Sequence, residues 1–227
     1  MKHAIPLNLL LCLVSPLSLA PKTAKQAPVS VPSVTQEIVW NPSRQILAAI
    51  REKCGKGDPD HVDECFLSEM RSTGASPQSV EFAKSRSTEG LAFIRAFRKV
   101  GPVDVAFIEY PFRANELDGV LLVNGEPPII DVDSPKFLSP DNFSADSTYA
   151  TSAKKYPDIS IWPGDRYHAN KPVAKRLESG GQSFVVEYIL RDGCHACAQV
   201  GTVKLRFVFD KHGKFSGVES GPTFPRP

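Results

Sequence analysis

The chain has little charge imbalance, no long apolar run and none of the short catalytic signatures. Lys and Arg number 27 against 25 Asp and Glu, a formal net charge of +2. A nucleic-acid-binding chain of this size carries a clear basic excess, so no nucleic-acid partner is expected. The longest apolar stretch, residues 5–20, is about 16 residues long and is interrupted by Pro6 and Pro16, whereas a membrane-crossing helix needs about 20. No Gly-x-Ser-x-Gly, P-loop or His-Glu-x-x-His pattern occurs, and a second Cys-x-x-Cys is absent. The sequence therefore predicts no cofactor and no metal.

What is present begins with that same N-terminal stretch. A basic start at Lys2 followed by a short apolar run reads as a secretory signal over residues 1–20, with Ser18-Leu19-Ala20 as a small-x-small cleavage site. Removing it takes Cys12 away and leaves Cys54, Cys65, Cys194 and Cys197. Four cysteines in an exported chain are most simply two disulfides. Three pairings are open; the local ones, Cys54 with Cys65 and Cys194 with Cys197, are favoured. The expected location is the periplasm or outside the cell, with no transmembrane anchor once the signal is cut.

Residues 21–40, rich in Pro, Ser, Thr and Gln, read as a flexible tether. Asn41-Pro42, Asp58-Pro59 and Ser76-Pro77 each set a capping side chain before a proline, the signature of a helix start. Helices are expected over 43–54, 60–72 and 78–85. A fourth is expected over 89–99, where Leu91, Phe93, Ile94 and Phe97 recur at helical spacing before Gly101-Pro102. Strands follow: residues 103–112, then a hairpin over 118–133 turning at Asn124-Gly125, then 158–162. Residues 134–155 read as a loop. The fold class is α+β: a helical N-terminal half (41–101) packed on an antiparallel sheet of hairpins (102–222), with a tail over 223–227.

The clearest strands flank the motif "RDGCHACAQVG". In 183–190, Phe184, Val186, Tyr188 and Leu190 share one face, with Val185, Glu187 and Ile189 on the other; in 202–209, Val203, Leu205, Phe207 and Phe209 share a face opposite Lys204 and Arg206. A register that opposes Cys194 to Cys197 also opposes Val186 to Leu205, Phe184 to Phe207 and Glu187 to Lys204, matching apolar to apolar and acid to base. His195-Ala196 is a poor tight-turn pair, so the loop is expected to be wider than two residues.

Four sites are candidates. The motif itself is read as a structural staple. Its alternative is a thiol–disulfide redox centre with Cys194 as nucleophile, Cys197 as resolving thiol and His195 lowering the thiol pKa. The stretch "WPGDRYH" gathers Trp162, Asp165, Arg166, Tyr167 and His168 as loop binding material, for which a protein partner is possible. The sheet edge near Pro127 is a second binding candidate. Asp131 and Asp133, two apart on a strand, point the same way and with Glu109 or Asp118 could form a cation or acid–base site, although they read first as the polar end of a strand entering a loop. The basic run Arg166, His168, Lys171, Lys175 and Arg176 reads as a solvated face.

"EYPFRANELDGVLLVNGEPPIIDVD" together with "YILRDGCHACA" resembles uncharacterised exported bacterial proteins. The resemblance spans most of the chain after about residue 44. It implies a bacterial, exported protein and carries no activity with it. The expected function is a non-catalytic binding or structural module stapled by two disulfides.

Overall fold

The structure, a computed structural model, describes residues 33–86, 90–115, 117–164 and 171–225. The signal expected over 1–20 and most of the expected tether lie outside these residues. Residues 33–40 do not behave as a tether. Val34, Ile38 and Trp40 are buried, a short 3-10 helix forms at Gln36–Ile38, and the Trp40 amide donates to the Ile94 carbonyl.

Three helices follow: α1 (Arg44–Cys54), α2 (Pro59–Ser72) and α3 (Pro77–Ser85). Their starts are capped by Ser43, Asp58 and Ser76, whose side chains accept the amides of Ile46, His61 and Ser79. The last two are the expected cap-then-proline starts. For α1 the cap is Ser43, not Asn41. The apolar sides of the three helices close over Trp40, Phe66, Met70 and Phe93, with the Trp40 ring edge-on to Phe93 at 4.8 Å.

The fourth expected helix does not form. Residues 93–98 are strand β1 (Phe93–Arg98), so the helical N-terminal half is not what the chain builds: helix gives way to sheet before residue 100. The physical reason is a bulge. β1 pairs with β2 (Asp104–Glu109) antiparallel, and the register slips between Ile94 and Ala96. The extra residue puts Ile94 and Phe97, three apart, against the same core cluster, while Ala96 packs into the other. In the sequence, that spacing looks helical.

β2 continues to β3 (Asp118–Val123) and β4 (Ile129–Asp131), giving an antiparallel sheet in the order β1-β2-β3-β4. Both faces of this sheet are covered. Ala106, Ile108, Leu121 and Val123 pack with Val34, Ile38 and Phe82; Val105, Phe107, Val120 and Leu122 face a second sheet.

The second sheet is also antiparallel. Its long hairpin is β7 (Gln182–Asp192) with β8 (Gln199–Phe209). β5 (Ile159–Pro163) and β6 (Val173–Arg176) flank β7; β9 (Phe215–Ser220) and β10 (Phe224–Pro225) flank β8. The pairs Phe184–Phe207, Val186–Leu205 and Glu187–Lys204 are opposed as the alternation requires. β10 gives the expected tail an ordered place beside Gly201 and Thr202. The expected loop over 134–155 contains a 3-10 turn at Pro140–Phe143 and helix α4 (Ser147–Lys155), capped by Asp146.

Polar clasps join the two sheets. The Gln182 side chain accepts from the Val103 amide at 3.1 Å and donates to its carbonyl at 3.0 Å, imitating a strand pairing. The Tyr188 hydroxyl donates to the Val132 carbonyl at 2.7 Å. Where β3 turns to β4, the Glu126 amide donates to Gly213 and its carbonyl accepts from Phe215. Gly125 permits this approach, because a Cβ there would meet the Gly213 carbonyl at 2.7 Å. These bonds engage the backbone beside Pro127, so that stretch is not the open sheet edge expected of it.

Candidate functional site

The tip of the β7–β8 hairpin carries the cysteine motif. Arg191 pairs with Gln199 after a one-residue slip, the Asp192 amide donates to Ala198, and the Cys197 amide donates to the Cys194 carbonyl at 2.9 Å. The loop is therefore wider than two residues, as His195-Ala196 demanded. Gly193 takes the left-handed conformation that starts it, φ 93°. Cys194 and Cys197 are joined as a disulfide, with Cα atoms 5.0 Å apart, and Cys54 is joined to Cys65 at 5.5 Å. Both local pairings form. Cys54 is fully buried, whereas Cys194 is exposed and Cys197 half-buried.

Trp162 belongs to this tip. It lies on β5 opposite Ile189 and not in a free loop. Its indole N–H donates to Ser160 Oγ at 2.6 Å, and Ser160 in turn donates to the Gly193 carbonyl. The Trp162 and His195 rings meet edge to face at 5.2 Å. Arg191 donates to the Cys197 carbonyl at 2.7 Å. Two of the sequence candidates thus form one cluster. Asp165, Arg166, Tyr167 and His168 lie outside the described residues.

From this tip a cleft of about 480 Å³ runs past His195, Arg191 and Pro163 to Asp118. A second cleft, about 670 Å³, begins at Pro163 and Asp118 and extends over Tyr110, Arg113, Arg86, Asp131 and Asp133. The shared residues make the two parts of one groove. Its floor is Tyr110, only 2 % exposed, with the Arg113 guanidinium stacked 3.3 Å above the ring. Arg86, at the end of α3, lies 3.9 Å from Asp131 and hydrogen-bonds the phenol. Burial pushes the Tyr110 pKa up and Asp131 pushes it further, against the opposing pull of Arg113 and Arg86. Tyr110 is accordingly a neutral hydroxyl between cationic and anionic neighbours.

The carboxylate expectation divides. Asp118, Asp131 and Asp133 do line one cleft. Glu109 does not join them. It is 6 % exposed and is claimed by Arg51 at 3.0 Å and by Arg95, which tie α1 and β1 to β2. Among the described residues no group of three or more His, Cys, Asp or Glu side chains is arranged to hold a metal ion. Asp131 instead accepts the Asp133 amide at 2.9 Å and faces Arg86.

Sequence reasoning passed over Tyr110, Arg113 and Arg86. Their one signal was the cluster of aromatic and arginine side chains in "EYPFRA", directly after a strand. Arg86 comes from another segment and carries no mark of its own.

No helix among the described residues is long and apolar enough to cross a membrane. Comparison with protein-family models, with curated proteins and with solved structures yields no match to this chain.

Proposed function

We propose that the chain is an exported, non-catalytic binding module whose ligand occupies the groove between the hairpin tip and Arg86. The observation that carries this reading is the groove itself: alternating guanidinium and carboxylate groups around a neutral buried phenol, ending at an aromatic pair fixed by a disulfide. Such a lining suits a small ligand bearing both charges, an amino acid or short peptide, because each charged end meets an oppositely charged wall. The two disulfides support an oxidising location.

The test is an amide chemical-shift titration of the mature chain with free amino acids and dipeptides. Shifts confined to Tyr110, Asp118, Ile130 and His195, and lost in Arg113→Ala, are expected. No shift with any of these probes, or equal shifts in the variant, contradicts the proposal.

A second reading is favoured by the exposure of Cys194 beside His195. In it, the reduced Cys194 thiolate attacks a substrate disulfide and expels one thiolate. Cys197 then attacks the mixed disulfide, expels the second and regenerates Cys194–Cys197, so the dithiol is oxidised as the substrate is reduced. The strands on both sides of the motif speak against it, since among the described residues no helix begins at Cys194 to lower its pKa.

A further inference from the structure

On the opposite side of β7 from the hairpin tip, a separate cleft of about 570 Å³ opens between strand β6, the Gly180-Gly181 turn, the β8–β9 turn and the loop Val100, Gly101 and Pro102. Its charged lining is of one sign: Lys175, Arg176 and Lys211, with no carboxylate among the lining residues. None of the three makes an ion pair among the described residues. Elsewhere on the same sheet, cations find acids. Lys204 pairs with Glu187 at 3.4 Å and Arg206 pairs with Glu219.

The nearby carboxylates do not line the cleft and take their hydrogen bonds from other groups. Asp210, before Lys211, accepts the amides of His212 and Lys214, and those two bonds hold its pKa below the usual carboxylate value. The buried Asp104 accepts hydrogen bonds from the amides of Val100 and Gly101 and from the side-chain amide of Asn124. Gln182 spends its amide on Val103. Glu178 lies outside the cleft lining.

The walls are fixed. Arg176 is opposite Gln182 in the β6–β7 register, and the preceding chain is anchored where Arg98 donates to the Pro172 carbonyl at 2.9 Å. Gly180, at φ 82°, lies beside the Lys211 stem with space where a side chain would stand.

We propose that this cleft binds a phosphate group, with Arg176 supplying a planar bidentate donor and Lys211 supplying a point charge, while Lys175, next to Arg176 on the strand and so on its other face, adds only to the local positive field. Arg176 on a strand and Lys211 in a turn, at an opening whose lining holds no carboxylate, match a phosphate oxyanion better than a carboxylate. The chemistry is common to free phosphate and to the headgroup of an anionic phospholipid.

The experiment uses the mature chain, inorganic phosphate followed by amide shifts, and vesicles of phosphatidylglycerol with phosphatidylcholine vesicles as control. The double variant Arg176→Gln/Lys211→Gln alters exposed side chains only, and its unchanged melting temperature checks the fold. Phosphate shifts at Gly180, Gly181 and Lys211 that weaken about tenfold or more in the variant support a free-anion site. Vesicle sedimentation specific to phosphatidylglycerol and lost in the variant, without shifts by phosphate, supports the same site with a lipid headgroup. Binding of neither probe, or equal binding by wild type and variant, overturns the proposal.

Discussion

The two disulfides do different work although each closes a local loop. Cys54–Cys65 joins α1 to α2, and Cys54 is part of the packed cluster with Trp40, Phe66 and Phe93. Cys194–Cys197 closes the tip of a hairpin whose ladder already extends over ten opposed pairs, and Cys194 faces solvent. The first bond joins two packed helices and is itself part of the buried cluster beneath them. The second adds little to a hairpin already held by burial, and its effect is local: it sets where His195 stands against Trp162. One bond supports the fold and the other shapes a site.

This contrast is open to direct test. The largest effect is expected from Cys54→Ala/Cys65→Ala, which removes the loop constraint and buried packing together and costs about 4 kcal/mol. Urea midpoints measure it. An equal or larger loss in Cys194→Ala/Cys197→Ala, expected to cost about 2 kcal/mol or less, breaks the comparison.

Next in size is Glu109→Ala. It strands two arginines that meet at a nearly buried carboxylate, and it is expected to cost about 3 kcal/mol. A change within about 0.5 kcal/mol would show that Arg51 and Arg95 find water instead.

A third test sharpens the site side. His195→Ala leaves the disulfide in place but removes the ring facing Trp162. Trp162 fluorescence, read in a Trp40→Phe background, should shift while the melting temperature moves by only about 1–2 °C. A melting change as large as that of the helical disulfide variant would make the tip structural.

The smallest effect is a pH dependence. Tyr110 has its folded pKa raised above the ordinary 10.0, by burial first and by Asp131 second. Its contribution to stability is fully present below the unfolded pKa and is lost as pH rises through the folded value. Phenolate absorbance should therefore appear above pH 10 in the folded chain, and Tyr110→Phe should flatten the stability curve there. Asp210 works in the other direction. Its lowered pKa gives a contribution present above the unfolded value of 3.8 and lost as pH falls through the folded one, which a carboxyl titration by NMR would follow.

How far the sequence spoke depended on how regular each element is. β7 and β8 bury alternate residues over most of their length, so their register from Phe184 to Leu190 was legible to the individual pair, whereas the one-residue slip at Arg191, just before the cysteines, was not. Asp58 and Ser76 announced their helices because a cap followed by proline has a single local meaning. β1 was misread since its bulge imposes a three-residue spacing on a strand. α4 was missed because it is short and polar, burying only Tyr149 and Ser152; the Asp146-Ser147 cap was its one cue. β6, four residues on a sheet edge with mostly exposed side chains, left no periodic trace.

The candidate site was legible in fragments. Trp162, His195 and the aspartates stood out as residue types, but nothing local told that β5 would bring Trp162 to the hairpin tip. The groove joins residues from α3, β2, β4 and β7, and such convergence is a property of the packing of two sheets. Charge told even less. A net of +2 gives no hint that Lys175, Arg176 and Lys211 line one cleft with no acid in its lining, since the balance is struck over the whole chain and the cleft is local.

The measurement that tests the central claim most directly is the reduction of the mature protein in graded thiol buffers, with peptide mapping of each pair. The account predicts that Cys194–Cys197 stays paired until the potential falls below about −300 mV, as a staple should. Reduction above about −200 mV, with Cys194 trapped as a mixed disulfide, would contradict it and make thiol–disulfide exchange the function of the tip.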